Sequence, residues 1–203
     1  MIKKTSKHSV INLATALLPN KFGNFKISVF SSTPDKREQI VLTLGEFKKQ
    51  PVLVRLHSQC FTGDTLLSLR CDCHEQLHKS MQMVAKKGSG VIIYLNQEGR
   101  GIGLVNKIKA YALQEKKLDT VEANKALGLS VDAREYKTAA NILKKLGIKK
   151  IELLTNNPDK ITQLEKNGIM VVKRVPIEVK PNKYDSFYLV TKKQKMGHIL
   201  HNI

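Results

Sequence analysis

From residue 90 to residue 177 the chain alternates short apolar runs with amphipathic stretches of helical length. GVIIYLN (90–96), KKIELLT (149–155) and IMVVKRVPIEV (169–179) read as strands. IGLVNKIKAYALQE (102–115) and YKTAANILKKLG (136–147) read as helices. The second carries Ala139, Ala140, Leu143 and Leu146 on one face and ends at Gly147. Residues 158–167 form a shorter helix, with Pro158 suited to its first turn and Gly168 ending it. Strands that alternate with helices return in parallel, so this half of the chain predicts βαβ units.

The preceding residues have a different texture. FGNFKISVF (22–30) and QIVLTL (39–44) read as strands joined by the turn SSTPDK, an antiparallel pattern. After Pro51, VLVRLHS is a third strand that sets Arg55 and His57 on one face and Val54 and Leu56 on the other. A helix over 74–87 follows, with Leu77, Met81, Val84 and Ala85 on one face and Gly88 at its end. The expected architecture is one α/β domain over residues 1–203. It has a mixed sheet flanked by helices, with antiparallel-rich N-terminal strands followed by βαβ units. Two segments resist assignment. KKLDTVEANKALGLSVDAREY (116–136) reads as mostly irregular, and a polar loop of that length is functional or disordered. The ends, 1–18 and 180–203, are read as flexible, with a docked helix as the alternative for the basic tail.

Composition narrows the function classes. No stretch approaches the ~18 apolar residues of a membrane span. The first twenty residues have a basic start and an apolar run, but Asn12 and Thr15 interrupt it and no small-residue cleavage site follows. A cytoplasmic protein without a membrane partner is therefore expected. Lys and Arg number 35 against 17 Asp and Glu, a net charge of +18, which implies polyanionic partners. Many lysines fall in pairs, such as 86–87 and 144–145, that read as a solvated face. Aromatic residues are 5% with no Trp, so stacking platforms for single strands are scarce and nucleic acid is the disfavoured partner.

The three cysteines, Cys60, Cys71 and Cys73, sit within RLHSQCFTGDTLLSLRCDC. An odd number argues against a disulfide framework. A free cysteine is often a small core residue, but Cys-Asp-Cys after an Arg is a polar setting. Thiolates are strong zinc ligands, and three of them leave one coordination position open, the mark of a catalytic site. His57 or His74 as a fourth ligand would close the site and make it structural, and the spacing leaves that open.

NQEGRGIGL (96–104) places glycines at 99, 101 and 103 between a strand and a helix. This is not the dinucleotide fingerprint, yet such a turn brings backbone N–H groups close to an anion. Glu98 and Arg100 flank it.

Taken together, RLHSQCFTGD, LRCDC, NQEGRGIGL, KIKAYALQ, DTVEAN, LGLSVDAREY, LLTNNPDK, RVPIEV and KMGHIL resemble the GTP cyclohydrolase II family, in one order, from about residue 19 to residue 200. Members of that family open the guanine ring at the start of riboflavin synthesis. The resemblance implies zinc-dependent hydrolysis of GTP to 2,5-diamino-6-(5-phosphoribosylamino)pyrimidin-4(3H)-one, formate and pyrophosphate. It also implies one Zn²⁺ per subunit, Mg²⁺ with the triphosphate, and a homodimer. No synthase region precedes these motifs here, so a monofunctional form is expected.

Residue by residue, Cys60, Cys71 and Cys73 match the family's zinc ligands. Arg55, Leu56, His57, Ser58 and Gln59 match its GTP-binding stretch, and Gln76 matches a guanine contact. Glu98, Gly99, Arg100, Thr120, Thr155 and Lys160 match further substrate contacts. Tyr111 matches an active-site tyrosine near the zinc water. Asp132 and Arg134 match the assigned proton acceptor and nucleophile. A guanidinium has no free lone pair and a pKa above about 12, so Arg134 reads equally as an electrostatic clamp on the α-phosphate. Three positions depart from the pattern: Gln59 stands for the usual Glu, His74 for Gly and Asn96 for Arg. A family variant that performs only part of the reaction, and a basic nucleic-acid-binding protein with a structural zinc, are the competing readings.

Overall fold

The computed structural model describes residues 9–33 and 36–203. Seven strands form one sheet: β1 (Val10–Asn20), β2 (Gly23–Ser32), β3 (Glu38–Leu44), β4 (Val52–Ser58), β5 (Gly90–Leu95), β6 (Lys150–Leu154) and β7 (Met170–Val175). Their order is β1-β2-β3-β5-β4-β6-β7. Pairing is antiparallel from β1 to β5 and parallel among β5, β4, β6 and β7. The expected mixed sheet is therefore present, with its antiparallel part N-terminal.

β4 is buried on both faces. Val52, Val54 and Leu56 pack with Val91, Ile93, Ile151 and Leu153 against helix α4 (Lys137–Lys145), where Ala139 and Ala140 let the helix approach closely. On the opposite face Leu53, Ile92 and Leu154 pack with Phe25 against Val84 of helix α1 (Cys73–Lys87). Each fully buried aliphatic side chain contributes about 1.5–3 kcal/mol. Towards the carboxyl end of β4, Arg55 and His57 take the places on the α1 face that Leu53 holds at its start, as the alternation predicts.

The connections place the site. β4 runs through α1 to β5 on one side. β5 returns through α2 (Leu104–Gln114), α3 (Thr120–Ala126) and α4 to β6 on the other side of β4. Because α1 and α4 lie on opposite faces, the carboxyl ends of β4, β5 and β6 open a crevice at a topological switch point, where α/β sheets bind ligands.

Three segments differ from the sequence reading. Residues 10–18, read as a flexible end, belong to β1. Residues 11–17 are exposed on both faces, so no alternation marks the strand. The segment 116–136 contains α3, one short helix whose N-terminus carries a capping box: Asp119 accepts from the N–H groups of Val121 and Glu122, and Glu122 accepts from that of Asp119. The tail, the other end read as flexible, takes its alternative form, helix α6 (Ser186–Met196). Ion pairs with Asp72 and Asp119 rather than a single apolar stripe hold it. Residues 1–8 lie outside the described residues. Among the described residues no helix is long and apolar enough to cross a membrane.

Candidate active site

The three thiols converge. The Sγ atoms of Cys60, Cys71 and Cys73 lie within 4.8 Å of one another, with Cys60 and Cys71 3.7 Å apart. One wide helical turn, Phe61–Thr65, carries the loop round them. Asp64 fixes that turn, accepting from the Cys60 N–H at 3.0 Å and the Tyr94 hydroxyl at 2.9 Å. It also holds His57 Nε2 at 3.0 Å. Burial lowers the His57 pKa more than Asp64 raises it, so the ring is neutral and donates Nε2–H. Gly63 lines the thiol cradle. A Cβ there would stand 2.8 Å from Cys71 Sγ and 3.1 Å from Cys60 Sγ.

Charge around the thiols fits a cation. Hydrogen bonds from Cys71 and Cys73 pull the Cys60 thiol well below its ordinary pKa, and Lys107 helps from 3.1 Å. The same hydrogen bonds to Cys60 push Cys71 up to about 12 and raise Cys73 well above its ordinary value. Three thiolates this close cannot coexist without a positive ion, and three soft donors suit zinc. Neither histidine joins them. His57 is engaged by Asp64, and the His74 ring lies against His78. The donor set therefore leaves a fourth position open.

A cleft of about 540 Å³ opens over Cys60 and Cys71. Ile102, Ala110 and Leu118 give it apolar walls, Tyr111 and Tyr188 aromatic ones, and Thr120 and Asn124 polar points. Tyr111 Oη lies 3.4 Å from Thr62 Oγ1. Burial pushes its pKa up to about 12 against the pull of Lys107, so the hydroxyl keeps its proton. Lys107 stays charged despite burial, because Cys60 and Glu98 hold its proton; Glu98 Oε1 is 2.8 Å away.

Beside the cleft lies a second, smaller pocket with a different character. Arg55, Arg100, Arg134, Lys160 and Lys192 all line it, with Cys73 at its edge. Arg55 donates to the Leu154 carbonyl at 3.0 Å and to Gln76 Oε1 at 2.6 Å, but its Nε is buried without a partner. Both terminal nitrogens of Arg100 are likewise buried and unpartnered. Arg100 adopts φ +62°, a left-handed conformation costing roughly 1–2 kcal/mol. Its carbonyl accepts the Ala133 N–H at 3.0 Å, which ties it to the loop before Arg134. Burial drives the Lys160 pKa far down, and the Arg55 and Arg134 cations push it further. Unsatisfied guanidinium donors among crowded cations call for an anion, and Arg presents such donors to phosphate in pairs.

Arg134 is held by Asp132 through two side-chain bonds, Nε to Oδ1 at 2.8 Å and Nη2 to Oδ2. Burial works to lower the Arg134 pKa, yet Asp132 raises it above the ordinary value. The guanidinium is a fixed cation.

The residues expected from sequence divide by place. His57, Ser58, Gln76, Thr155 and Lys160 line the cationic pocket, and Gly99, Tyr111 and Thr120 line the cleft. Arg100 lines both. Gln76 faces the cationic side, its amide already shared between Arg55 and Asp72. Leu56 is core, and only its carbonyl reaches the pocket wall, accepting from Lys160 at 2.7 Å. Gln59 and Glu98 line neither pocket; Glu98 braces Lys107 and the Phe61 N–H. Sequence reasoning missed Asp64, Asp72, Lys107, Tyr188, Lys192 and His198. The first three stand inside quoted motifs, and KMGHIL contains His198, but nothing local in the sequence distinguishes a buried lysine from a solvated one.

Comparison with known proteins follows the same residues. A family profile described as GTP cyclohydrolase II matches residues 12–176. The chain is 53% identical over 187 residues to the riboflavin biosynthesis protein RibBA of Parabacteroides distasonis, covering 92% of this chain and 46% of that protein. It thus spans about half the length of the RibBA relatives it matches. It is 50% identical over 192 residues to a GTP cyclohydrolase-2 of Histophilus somni, covering 94% of this chain and 89% of that one. With the GTP cyclohydrolase-2 of Actinobacillus succinogenes it shares 51% over 189 residues, 92% and 87% of the two chains. A profile match that contains the thiols, both pockets' strands and the Asp132–Arg134 pair, with half-identical relatives over nearly their full length, places this chain in the GTP cyclohydrolase II family of riboflavin biosynthesis.

Proposed function

We propose that the chain hydrolyses GTP to 2,5-diamino-6-(5-phosphoribosylamino)pyrimidin-4(3H)-one, formate and pyrophosphate. One observation carries the reading: the three thiols stand where an apolar cleft meets a cationic pocket. A purine nucleoside triphosphate has those two halves, and its reacting ring atom lies between them.

Cys60, Cys71 and Cys73 would hold the zinc. Bound there, zinc supplies a Lewis acid and lowers the pKa of water to about 7. The rest falls to the chain. Ile102, Ala110 and Leu118 exclude bulk water from the ring, and Thr120 and Asn124 offer polar contacts to its edge. Tyr111, protonated at neutral pH, is placed to give a proton as the imidazole C–N bond breaks. One water opens the ring to a formamide, and a second releases formate. A third splits the α–β phosphoanhydride.

Arg55, Arg100, Lys160 and Lys192 would bind the phosphates. Asp72 and Asp132 are already paired with Lys192 and Arg134, so Mg²⁺ would enter on the triphosphate rather than on carboxylates of the chain. Arg134 is proposed as the clamp on the α-phosphate, with water as the attacking group. Its two bonds to Asp132 and raised pKa favour a cation that stabilises developing charge.

A homodimer is part of the proposal. The stretch 9–20 bears no charge in a chain of +18, and Ile11, Leu13 and Leu17 of β1 are exposed there.

The test is GTP turnover with Zn²⁺ and Mg²⁺, following formate and pyrophosphate in one sample. Equal release supports the full reaction. Pyrophosphate alone would mark a partial-reaction variant, and neither product from folded, zinc-loaded protein would overturn the proposal in favour of the nucleic-acid-binding reading.

A further inference from the structure

His74 and His78 belong to neither pocket's machinery. They stand four residues apart on α1, which brings their rings to one face. Their centroids are 3.9 Å apart with the planes at 47°. Phe22 closes one side of His78 edge-on at 5.5 Å. His74 Nδ1 is buried and has no hydrogen-bond partner. Two half-buried imidazoles in contact lose water and recover little of it from each other.

The local sequence, His74-Glu75-Gln76-Leu77-His78, has the H-E-x-x-H spacing by which a helix offers two imidazoles to one cation. A ligating imidazole must be neutral. Burial lowers the His78 pKa, and His74 and Lys21 lower it further, so that ring is neutral at pH 7. Lys21 also repels a dication, while Glu75 attracts one. No third protein donor joins the pair. Among the described residues the only three-donor cluster is that of the cysteines, and Glu75 is exposed. The pair therefore makes a two-nitrogen site completed by water, not a catalytic centre of the metalloprotease kind.

We propose that His74 and His78 form a second metal site on α1, separate from the thiols, that takes a borderline divalent cation such as Co²⁺, Ni²⁺ or Zn²⁺ through two imidazole nitrogens. The site begins at the residue after Cys73 and spans Gln76, so its occupancy pins the part of α1 that carries both. Imidazole suits these ions, whereas Mg²⁺ and Ca²⁺ prefer oxygen and are rejected.

The experiment uses untagged chain already loaded with one equivalent of zinc, titrated with Co²⁺ and read by metal content and by visible absorption. Thiolate ligands give intense sulfur-to-cobalt bands and imidazoles do not, so exchange into the thiol site is recognised. The expected result is a second equivalent bound without those bands. It is lost in His78→Ala and in His74→Gly, and not competed by excess Mg²⁺. His78→Gln, which keeps the helix, is the control for folding. Uptake of only one equivalent by the wild type, or an unchanged second equivalent in the His78 variants, overturns the proposal.

Discussion

Lys192, in the last helix, donates to Asp72 at 2.9 Å, and Asp72 stands between two of the three thiols. The two residues are 120 positions apart, and both side chains are nearly buried. The bond joins the C-terminal segment to the thiol loop and sets one wall of the cationic pocket. Burial taken alone would make both groups neutral, and their mutual charge keeps both ionised.

Removing one partner of such a pair strands the other charge. Lys192→Met is expected to cost about 3–5 kcal/mol, and Lys192→Met with Asp72→Asn to recover much of it. Urea unfolding of the two single variants and the double variant checks this. A single-variant loss below about 0.5 kcal/mol, the scale of an exposed pair, would refute the buried geometry.

Gly63 tests the thiol cradle without replacing a ligand. Its backbone is not left-handed, so alanine is tolerated there by conformation, but the added Cβ would meet Cys71 Sγ at 2.8 Å. Gly63→Ala should weaken zinc binding about 10- to 100-fold, the scale of supporting-shell changes, with the fold retained. Competition with a chromophoric chelator measures it, and an unchanged affinity would mean the thiols do not share one ion at this point.

His198 predicts a pH dependence. Burial first, then Lys192, Arg134, Lys160 and Arg100, push its pKa down to about 3, against an ordinary value near 6.5. The folded state therefore refuses a proton that the unfolded state accepts. Stability from this group is complete above about pH 6.5 and falls as pH drops towards about 3, by up to about 1.4 kcal/mol per pH unit. His57, lowered by its own burial, acts in the same direction. Urea unfolding between pH 6.5 and 4.5, before most carboxylates titrate, should show a steeper slope for the wild type than for His198→Gln. Equal slopes would contradict the burial of His198 among these cations.

The pair of Asp132 and Arg134 separates two chemistries. If Arg134 is a clamp, Arg134→Lys keeps a charge but loses the fork, and pyrophosphate release falls about 10²- to 10³-fold while zinc content is unchanged. Rapid-quench single turnovers of the wild type should hold no nucleotide on the protein. A trapped guanylyl adduct on Arg134 would instead make it the nucleophile.

Much of this protein is decided by residues near one another in the chain. The βαβ alternation, the opposite faces of β4 and the nine motifs of the resemblance are all local patterns, legible because hydrophobic period and turn chemistry act over a few residues. β1 was not legible, and α6 was legible only as one of two forms for the tail. β1 is exposed on both faces and so has no alternation, and α6 is held by ion pairs rather than by an apolar stripe. α3 left its capping box in the sequence, but seven residues are too few for a period to speak. The site divides in the same way. Cys60, Cys71 and Cys73 are chemically unusual in their own neighbourhood and stand out as candidates without the fold, whereas Asp132 and Arg134, in a polar loop, entered only through the resemblance. Lys107, Lys192 and Asp72 look like any solvated charge. Only the tertiary structure sets Lys107 beside Cys60 and Lys192 against Asp72, because the energy of a buried charge depends on partners that the chain brings from 47 and 120 residues away.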